Sequence, residues 1–381
     1  MLLWVRQNLF KIVLWASNRF ASRPEKNAVF ESLSKLHEAI GSNKESKGIV
    51  IPFAAATGRF VIFSDQHKGA KNGADDFMLC EPAYLAALDH YFENDFHFVS
   101  LGDSEELWEN RLSSVLKKQQ PSFDRYRRFA AANRLYKTIG NHDLDWKNNP
   151  LTMAQVRLIF KTSLCIYDGI LLQTEIKGNR LSIFCTHGHQ GDKASDGNWF
   201  SKFFVSKIWA PLQILLKINP NTPAYDAQLK TLHNRLMYEW SNEQQNLLLI
   251  TGHTHQPVFE SLTHIERLYR QLLLAKAGGD EKTAAETEVE IQKRKFEYSH
   301  VSSDYLNMRP SYFNSGCCCN NDGDITGIEI EDGCLRLVKW TSKAGHPHRE
   351  VLEEETLEVL LQAVAAKPIP EKNNAAESSA M

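Results

Sequence analysis

The sequence predicts an α/β protein of the α+β kind. Three observations carry this. Short apolar runs recur, with helical stretches between several of them. Five of those runs stop at a cluster of Asp, His or Asn. The composition, 43% hydrophobic and 24% charged with 20 Gly and 13 Pro, is that of a globular chain rather than a disordered, collagenous or coiled-coil one. At 381 residues the chain suffices for two or three domain-sized units, or for one large domain with insertions.

The elements follow in order. Residues 60–63 form an apolar strand that ends at Ser64-Asp65-Gln66-His67, and residues 82–92 are helical. A second strand, 96–101, ends at Gly102-Asp103. A helix over 125–132 leads to a strand at 135–139, which ends at Gly140-Asn141-His142-Asp143. The strand 181–185 ends at Thr186-His187-Gly188-His189, and 247–250 ends at Thr251-Gly252-His253-Thr254-His255. Strands resume around 311–316, 325–330 and 335–340. Central strands of an α/β sheet are apolar because both faces are covered, and ligands gather at their carboxyl ends. One polar cluster after one strand means little, whereas five of them point to one assembled site.

Segments outside this pattern divide the chain. Residues 1–58 read as an N-terminal helical region. Within it, Leu2, Leu3, Leu9, Ile12, Val13 and Trp15 alternate with Arg6, Lys11 and Arg19 at near-helical spacing. Residues 1–23 therefore either lie on an anionic membrane surface or dock on the core. Lys11 and Asn8 interrupt any secretory signal, and no apolar stretch is long enough to span a bilayer. The main domain is expected over 59–345, with two insertions. The first, 198–220, mixes Trp199, Phe203, Phe204 and Trp209 with Lys202, Lys207 and Lys217, as a core helix or as a lid that meets lipid. The second, 261–300, reads as a charged helical hairpin broken at Gly278-Gly279. Residues 346–381 are expected to be a C-terminal helix and a disordered tail.

The clusters carry chemistry. Asp and His are ligand types that divalent transition metals accept, and an amide carbonyl can add one more. Asp65 and His67 are two apart, as are His253 and His255, and alternate residues at a strand end share a face. Asp103, Asn141 and His187 arrive from three other loops, which makes seven candidate ligands. His189 sits two after His187 with Asp192 beyond it, either on the same face or near substrate. Arg125, Arg127 and Arg128 read as solvated helix residues.

In their order, Asp65-Gln66-His67, Gly102-Asp103-Ser104-Glu105-Glu106, Gly140-Asn141-His142-Asp143, Thr186-His187-Gly188 and Gly252-His253-Thr254-His255 resemble the motifs of the calcineurin-like metallophosphoesterase superfamily. The resemblance runs from about residue 59 to 316. It implies a four-layer β-sandwich flanked by helices, with a dinuclear site at the strand ends. By motif position one metal takes Asp65, His67, Asp103 and His255. The other takes Asp103, Asn141, His187 and His253, so that Asp103 bridges. Two such cations neutralise phosphate oxygens and activate water for in-line attack. His142 is placed as proton donor to the leaving oxygen, and Glu106 holds the family position of the acid that orients it. The other reading of His142 is that it only positions Asn141. Mn²⁺ is the first expectation for both ions, with Fe or Zn²⁺ suiting the same donors.

The resemblance implies a phosphoester substrate. The aromatic, basic insertion after His187 resembles the UDP-2,3-diacylglucosamine hydrolase branch, which cleaves a pyrophosphate in a membrane-linked sugar lipid. His142 departs from many members of that branch, which carry Arg there. A lipid-linked or nucleotide-linked diester or pyrophosphate is therefore expected. The protein would be cytoplasmic, peripheral on the inner face of a membrane, and open to oligomer formation. The rivals are a soluble nucleotide phosphodiesterase, a nuclease or protein phosphatase, and a non-catalytic scaffold of the same fold. Net charge is −2 with His neutral, which gives no chain-wide basic footprint for nucleic acid. The seven cysteines fit free thiols in a reducing compartment, and the run Cys317, Cys318, Cys319 reads as small apolar strand residues.

Overall fold

The run Phe60–Phe63 is buried at all four residues, as a strand covered on both faces must be. It lies at the middle of a seven-stranded sheet in a computed structural model that describes residues 24–42, 47–72, 75–148, 151–191, 227–294, 308–343 and 346–365. In chain order the strands are β1 (Gly48–Pro52), β2 (Phe60–Phe63), β3 (His97–Leu101), β4 (Leu135–Thr138), β5 (Ile166–Tyr167), β6 (Gly169–Ile176) and β7 (Asn179–Thr186). Then come β8 (Leu247–Thr251), β9 (Val258–Phe259), β10 (Leu262–Thr263), β11 (Tyr312–Asn314), β12 (Ile325–Glu331), β13 (Cys334–Lys343) and β14 (His346–Thr356). The helices used below are α1 (Lys26–Gly41), α2 (Glu81–Glu93), α3 (Gln120–Ala131), α4 (Ala227–Asn242), α5 (His264–Gly278), α6 (Glu281–Arg294) and α7 (Leu357–Ala365).

Two sheets of seven strands result, ordered β14-β13-β12-β2-β3-β4-β5 and β1-β6-β7-β8-β11-β9-β10. The core shows how they stack. Phe60, Ile62, Val99, Leu101, Ile328 and Leu337 of the first sheet pack with Ile170, Leu172, Ile183, Leu248 and Ile250 of the second. The outer face of the first sheet, through Val61, Phe63 and Phe98, meets Tyr84, Leu88, Phe123 and Phe129 of α2 and α3. The outer face of the second, through Leu171, Phe184 and Leu249, meets Val29, Leu33 and Leu36 of α1 and Trp240 of α4. The order is helices, sheet, sheet, helices: a mixed α/β fold in four layers.

In the first sheet β2, β3 and β4 run parallel, and in the second β7, β8 and β11 do. Within each set the carboxyl ends therefore lie together. The polar loops after β2, β3, β4, β7 and β8 meet at one end of the sandwich.

The expected strands fall where the apolar runs are, with ends moved by one to three residues. Six strands, β1, β5, β6, β9, β10 and β14, had no counterpart in the sequence pattern. Gly48–Pro52 pairs in parallel with Gly169–Gln173, inside the region read as helical. His346–Thr356 is an exposed edge strand paired antiparallel to β13, and the expected C-terminal helix starts only after it, at Leu357. The residues Cys317, Cys318 and Cys319 lie in the loop after β11 rather than in a strand.

The hairpin expected within 261–300 appears as α5 and α6, turned at Gly279 with φ of 73°. A capping box between Thr263 and Glu266 starts it. The buried Arg267 ties it to β14, donating to Glu353 at 2.7 Å. Segments 1–23 and 198–220, Asp192 and the tail after 365 lie outside the described residues. Among the described residues no helix is long and apolar enough to cross a membrane.

Candidate metal centre

The loops after β2, β3 and β8 break the extended backbone at once. Asp65, His67, Asp103, His253 and His255 all have positive φ, between 48° and 70°. Non-glycine residues rarely adopt this region, and such outliers gather at functional sites. Strand alternation is therefore not what lets Asp65 and His67 point together, as the spacing suggested. Both sit in left-handed turns past the end of β2. The loops are packed too closely for larger residues. A Cβ on Gly140 would lie 2.1 Å from Asp103 Oδ1, and one on Gly252 would lie 2.4 Å from Asp65 Oδ2.

The two aspartates divide their oxygens in the same way. Asp65 Oδ2 accepts the His253 backbone N–H at 2.9 Å, which leaves Oδ1 3.2 Å from His255 Nε2 and 3.8 Å from His67 Nε2. Asp103 Oδ1 accepts the His142 backbone N–H at 2.8 Å, while Oδ2 lies 3.2 Å from His187 Nε2 and 3.7 Å from His67 Nε2. His67 Nε2 and His255 Nε2 are 3.2 Å apart. Asp103, His187 and His253 each place a donor atom within 4.8 Å of the others. The imidazoles are oriented from behind, His187 Nδ1 by the Leu101 carbonyl at 3.0 Å and His67 Nδ1 by Glu106 Oε2 at 2.9 Å. That leaves Nε2 as the inward-facing nitrogen in both.

Asp65 Oδ1 and His187 Nε2, 4.0 Å apart, and Asn141 Oδ1 of the loop after β4 are buried without a hydrogen-bond partner. Such a group costs about 1–3 kcal/mol when left unsatisfied. A pair of divalent cations, one beside Asp65 and one beside Asn141 and His187, would satisfy all three and match their chemistry, oxygen and imidazole nitrogen. The donor spacing of 3.2–3.8 Å suits metal–ligand bonds of about 2.0–2.2 Å. The charges agree. Burial alone would raise the Asp65 carboxyl, but the His255 and His187 imidazoles hold it well below the usual carboxylate range. Burial likewise works against a charged His187, yet Asp103 and Asp65 push it up to about 9. Two anionic carboxylates here demand positive charge.

His142 stands at the rim, with its side chain 24% exposed. Its Nδ1 is 2.7 Å from Glu106 Oε2, the same oxygen that takes His67 Nδ1. Trp108 stacks on the His142 ring at 4.3 Å and donates its indole N–H to the Asn141 carbonyl at 2.7 Å. Glu106 thus joins the proposed proton donor to a proposed ligand.

Other residues surround the centre, of which His233 was not singled out in the sequence. His233, on α4, is buried with its ring 4.9 Å from that of His253. His189 is buried beside His187, their rings 5.4 Å apart. Burial, and then His187, take His189 down to about 3. Cys319 places Sγ 3.7 Å from His255 Nδ1. Behind the loops, Lys68, Glu105, Lys137 and Asp143 are wholly buried. Glu105 accepts from Lys137 Nζ at 2.9 Å and from Trp146 Nε1 at 2.7 Å. Asp143 accepts from the backbone of Gly140 at 2.6 Å and of Ser104 at 2.9 Å, so it clamps the loops of Asn141 and Asp103 together. A lone His on a helix, or the fourth residue of Gly140-Asn141-His142-Asp143, carries no sequence signal that predicts these contacts. Arg125 and Arg128 pair with Asp89 on the surface, away from the centre.

The family model for calcineurin-like phosphoesterases matches residues 58–257, which hold all five loops. The chain belongs to this family. No curated protein matches its sequence. Solved structures similar to this calcineurin-like chain include a single mutant of Vps29 from Entamoeba histolytica, 12% identical over 77% of this chain and 99% of that one, with a TM-score of 0.28. Another is Vacuolar Protein Sorting 29 from Cryptosporidium parvum, 10% identical over 78% of this chain and 98% of that one, with a TM-score of 0.28.

Proposed function

We propose that this calcineurin-like protein is a metal-dependent phosphoester hydrolase. The observation that carries the reading is the convergence of Asp103, His187 and His253, with Asp65 Oδ1, Asn141 Oδ1 and His187 Nε2 buried and without a hydrogen-bond partner. In this reading Asp65, His67, Asp103 and His255 hold one divalent cation. Asp103, Asn141, His187 and His253 hold a second, and Asp103 is shared. Mn²⁺ is the preferred ion, with Fe or Zn²⁺ as substitutes. When bound, the pair would neutralise phosphate charge and lower the pKa of a water between them.

The chain's own groups do the rest. Asp65 and Asp103 supply the negative charge, and Glu106 holds His67 and His142 in register. His142, exposed at the rim, gives a proton to the departing oxygen. Trp108 keeps its ring from turning away.

We assign the substrate to lipid-linked or nucleotide-linked diesters and pyrophosphates, in the manner of the UDP-2,3-diacylglucosamine hydrolase branch. The aromatic, basic composition of segments 1–23 and 198–220 supports this, and with it our assignment of the enzyme to the cytoplasmic face of a membrane. Residues 59–345 are then the catalytic domain, 1–58 an attachment region, and 346–381 a C-terminal extension.

Protein reconstituted with Mn²⁺ should hydrolyse bis(p-nitrophenyl) phosphate, Asp103→Ala should lose most of that activity, and His142→Ala should lose most of the activity on an alkyl phosphodiester, whose leaving oxygen needs a proton. Full activity in either variant rejects its role. A panel of phosphomonoester, phosphodiester, nucleotide-sugar and single-stranded DNA separates the substrate classes. Removal of residues 1–23 should abolish co-sedimentation with anionic liposomes, and unchanged binding rejects the membrane assignment.

A further inference from the structure

The metal-facing imidazoles need their outer nitrogens held, and His255 is held differently from the others. Behind His187 stands a carbonyl, and behind His67 a carboxylate. Behind His255 stands a thiol, Cys319 Sγ, 3.7 Å from Nδ1. Cys319 is wholly buried and hydrogen-bonds in turn to Cys317. The Cys317 thiol donates to Asn320 Oδ1 at 3.1 Å. Asn320 Nδ2 donates to the Asp324 carbonyl at 2.9 Å.

That last bond sets the direction of the whole chain. A backbone carbonyl only accepts, so the Asn320 amide must present its NH₂ to Asp324 and its oxygen to Cys317. Each thiol has one proton to give. Cys317 spends its proton on Asn320 and is left accepting from Cys319. Cys319, having donated to Cys317, is left accepting from His255. The proton of a neutral His255 is thereby drawn to Nδ1, and the lone pair stays on Nε2. It is Nε2 that faces Asp65 Oδ1 and His67 Nε2, each at 3.2 Å. The same tripeptide also grips the facing loop, because the Cys318 backbone N–H donates to the Asp65 carbonyl at 3.1 Å.

We propose that Cys319 is a positioning residue for the cation held by Asp65, His67, Asp103 and His255. It acts through a one-way hydrogen-bond chain, His255 to Cys319 to Cys317 to Asn320, that fixes the tautomer of His255. The proposal rests on the reading of His255 as a metal ligand. The three consecutive cysteines thus have separate duties. Cys319 and Cys317 form the chain, and Cys318 supplies the backbone link to Asp65.

The test is Mn²⁺ binding to the full chain, followed by the free-ion paramagnetic resonance signal and by calorimetry, with no substrate present. The unaltered protein should take up two ions. His255→Ala should lose one of them. Cys319→Ala should keep both but weaken one by about 10–100-fold, the usual effect of removing a group that orients a metal-bound histidine. Cys319→Ser, whose hydroxyl accepts and donates in the same places, should restore most of that loss. Cys317→Ala should weaken the same ion to a smaller extent.

The outcomes are separable. If the unaltered protein binds no Mn²⁺, the metal reading falls and this proposal with it. If it binds two ions and Cys319→Ala binds them equally well, the proposal alone is overturned. A Cys319→Ser variant as weak as Cys319→Ala overturns the hydrogen bond. Cobalt separates positioning from ligation. A sulfur-to-Co²⁺ charge-transfer band that disappears in Cys319→Ala would make Cys319 a ligand and overturn the positioning role, so the expected spectrum lacks it. Should Cys319→Ala fail to fold, Cys319→Ser and Cys317→Ala still decide, since both leave a polar group behind His255.

Discussion

The backbone N–H of His142 donates to Asp103 Oδ1 at 2.8 Å, so the aspartate that faces the metal centre also holds the loop of the proposed proton donor. This closeness depends on Gly140, where a Cβ would meet Asp103 Oδ1 at 2.1 Å and Asp103 N at 2.4 Å. The obstacle on one side is backbone, which cannot swing away as a flexible side chain would. Gly140→Ala should therefore destabilise the protein by about 1–3 kcal/mol, the usual cost of overpacking. It should also weaken Mn²⁺ binding, because relief of the clash moves Asp103. Denaturant unfolding and a metal titration on one preparation check both. Wild-type affinity in a folded Gly140→Ala protein would show that Asp103 is not fixed from that side.

Glu106 Oε2 is shared between His67 Nδ1 at 2.9 Å and His142 Nδ1 at 2.7 Å. The two histidines should separate by leaving group. His142→Ala should lose about 10²–10⁴-fold on an alkyl phosphodiester, whose alkoxide needs a proton, and much less on a p-nitrophenyl ester. Glu106→Gln should lose activity on both and also bind Mn²⁺ more weakly, since it supports His67 as well. Equal losses on the two esters for His142→Ala would remove it as the proton donor.

The seven candidate ligands were legible because the polar residues that make the site end apolar strands, and a two-sided sheet leaves no other use for them there. The reason offered for the Asp65–His67 and His253–His255 spacing was strand alternation, whereas the backbone uses positive φ at all four residues. A two-residue spacing looks the same in either conformation. What the sequence hides is what sequence distance hides. β1 is only five residues long and finds its partner, β6, more than a hundred residues later. β14 reads as surface because it is a charged edge, with one side left to solvent. His233 joins the site only because α4 packs on the sheet, and Trp108 and Cys319 join it only through contacts between neighbouring loops.

Behind the centre, Glu105 lies between two buried lysines, 2.9 Å from Lys137 Nζ and 3.4 Å from Lys68 Nζ. Burial takes Lys68 down to about 8, so the cluster is poised between attraction and desolvation. Removing one member of such a cluster leaves a buried charge uncompensated. Glu105→Gln should cost about 3–5 kcal/mol in stability, read from chemical denaturation. A cost below about 1 kcal/mol would mean that Asp143, 3.6 Å from Lys137 Nζ, balances the lysines without it.

Glu109 gives the centre a pH dependence that is separate from its ligands. Burial, and then the neighbouring Glu106 and Asp76, push its carboxyl up to about 8. A carboxyl raised in the folded state binds its proton more tightly there than in the unfolded chain. Its contribution to stability is therefore full below the unfolded value of 4.5, and it is lost as the pH rises from there towards about 8. Glu109→Gln keeps the shape and removes the titration. Held in chelator so that no cation intervenes, the variant should gain stability over the wild type as the pH goes from 5 to 9, with the difference growing most between about 5 and 8. Parallel melting curves across that range, with a constant gap between variant and wild type, would show that Glu109 is ionised in the folded protein throughout.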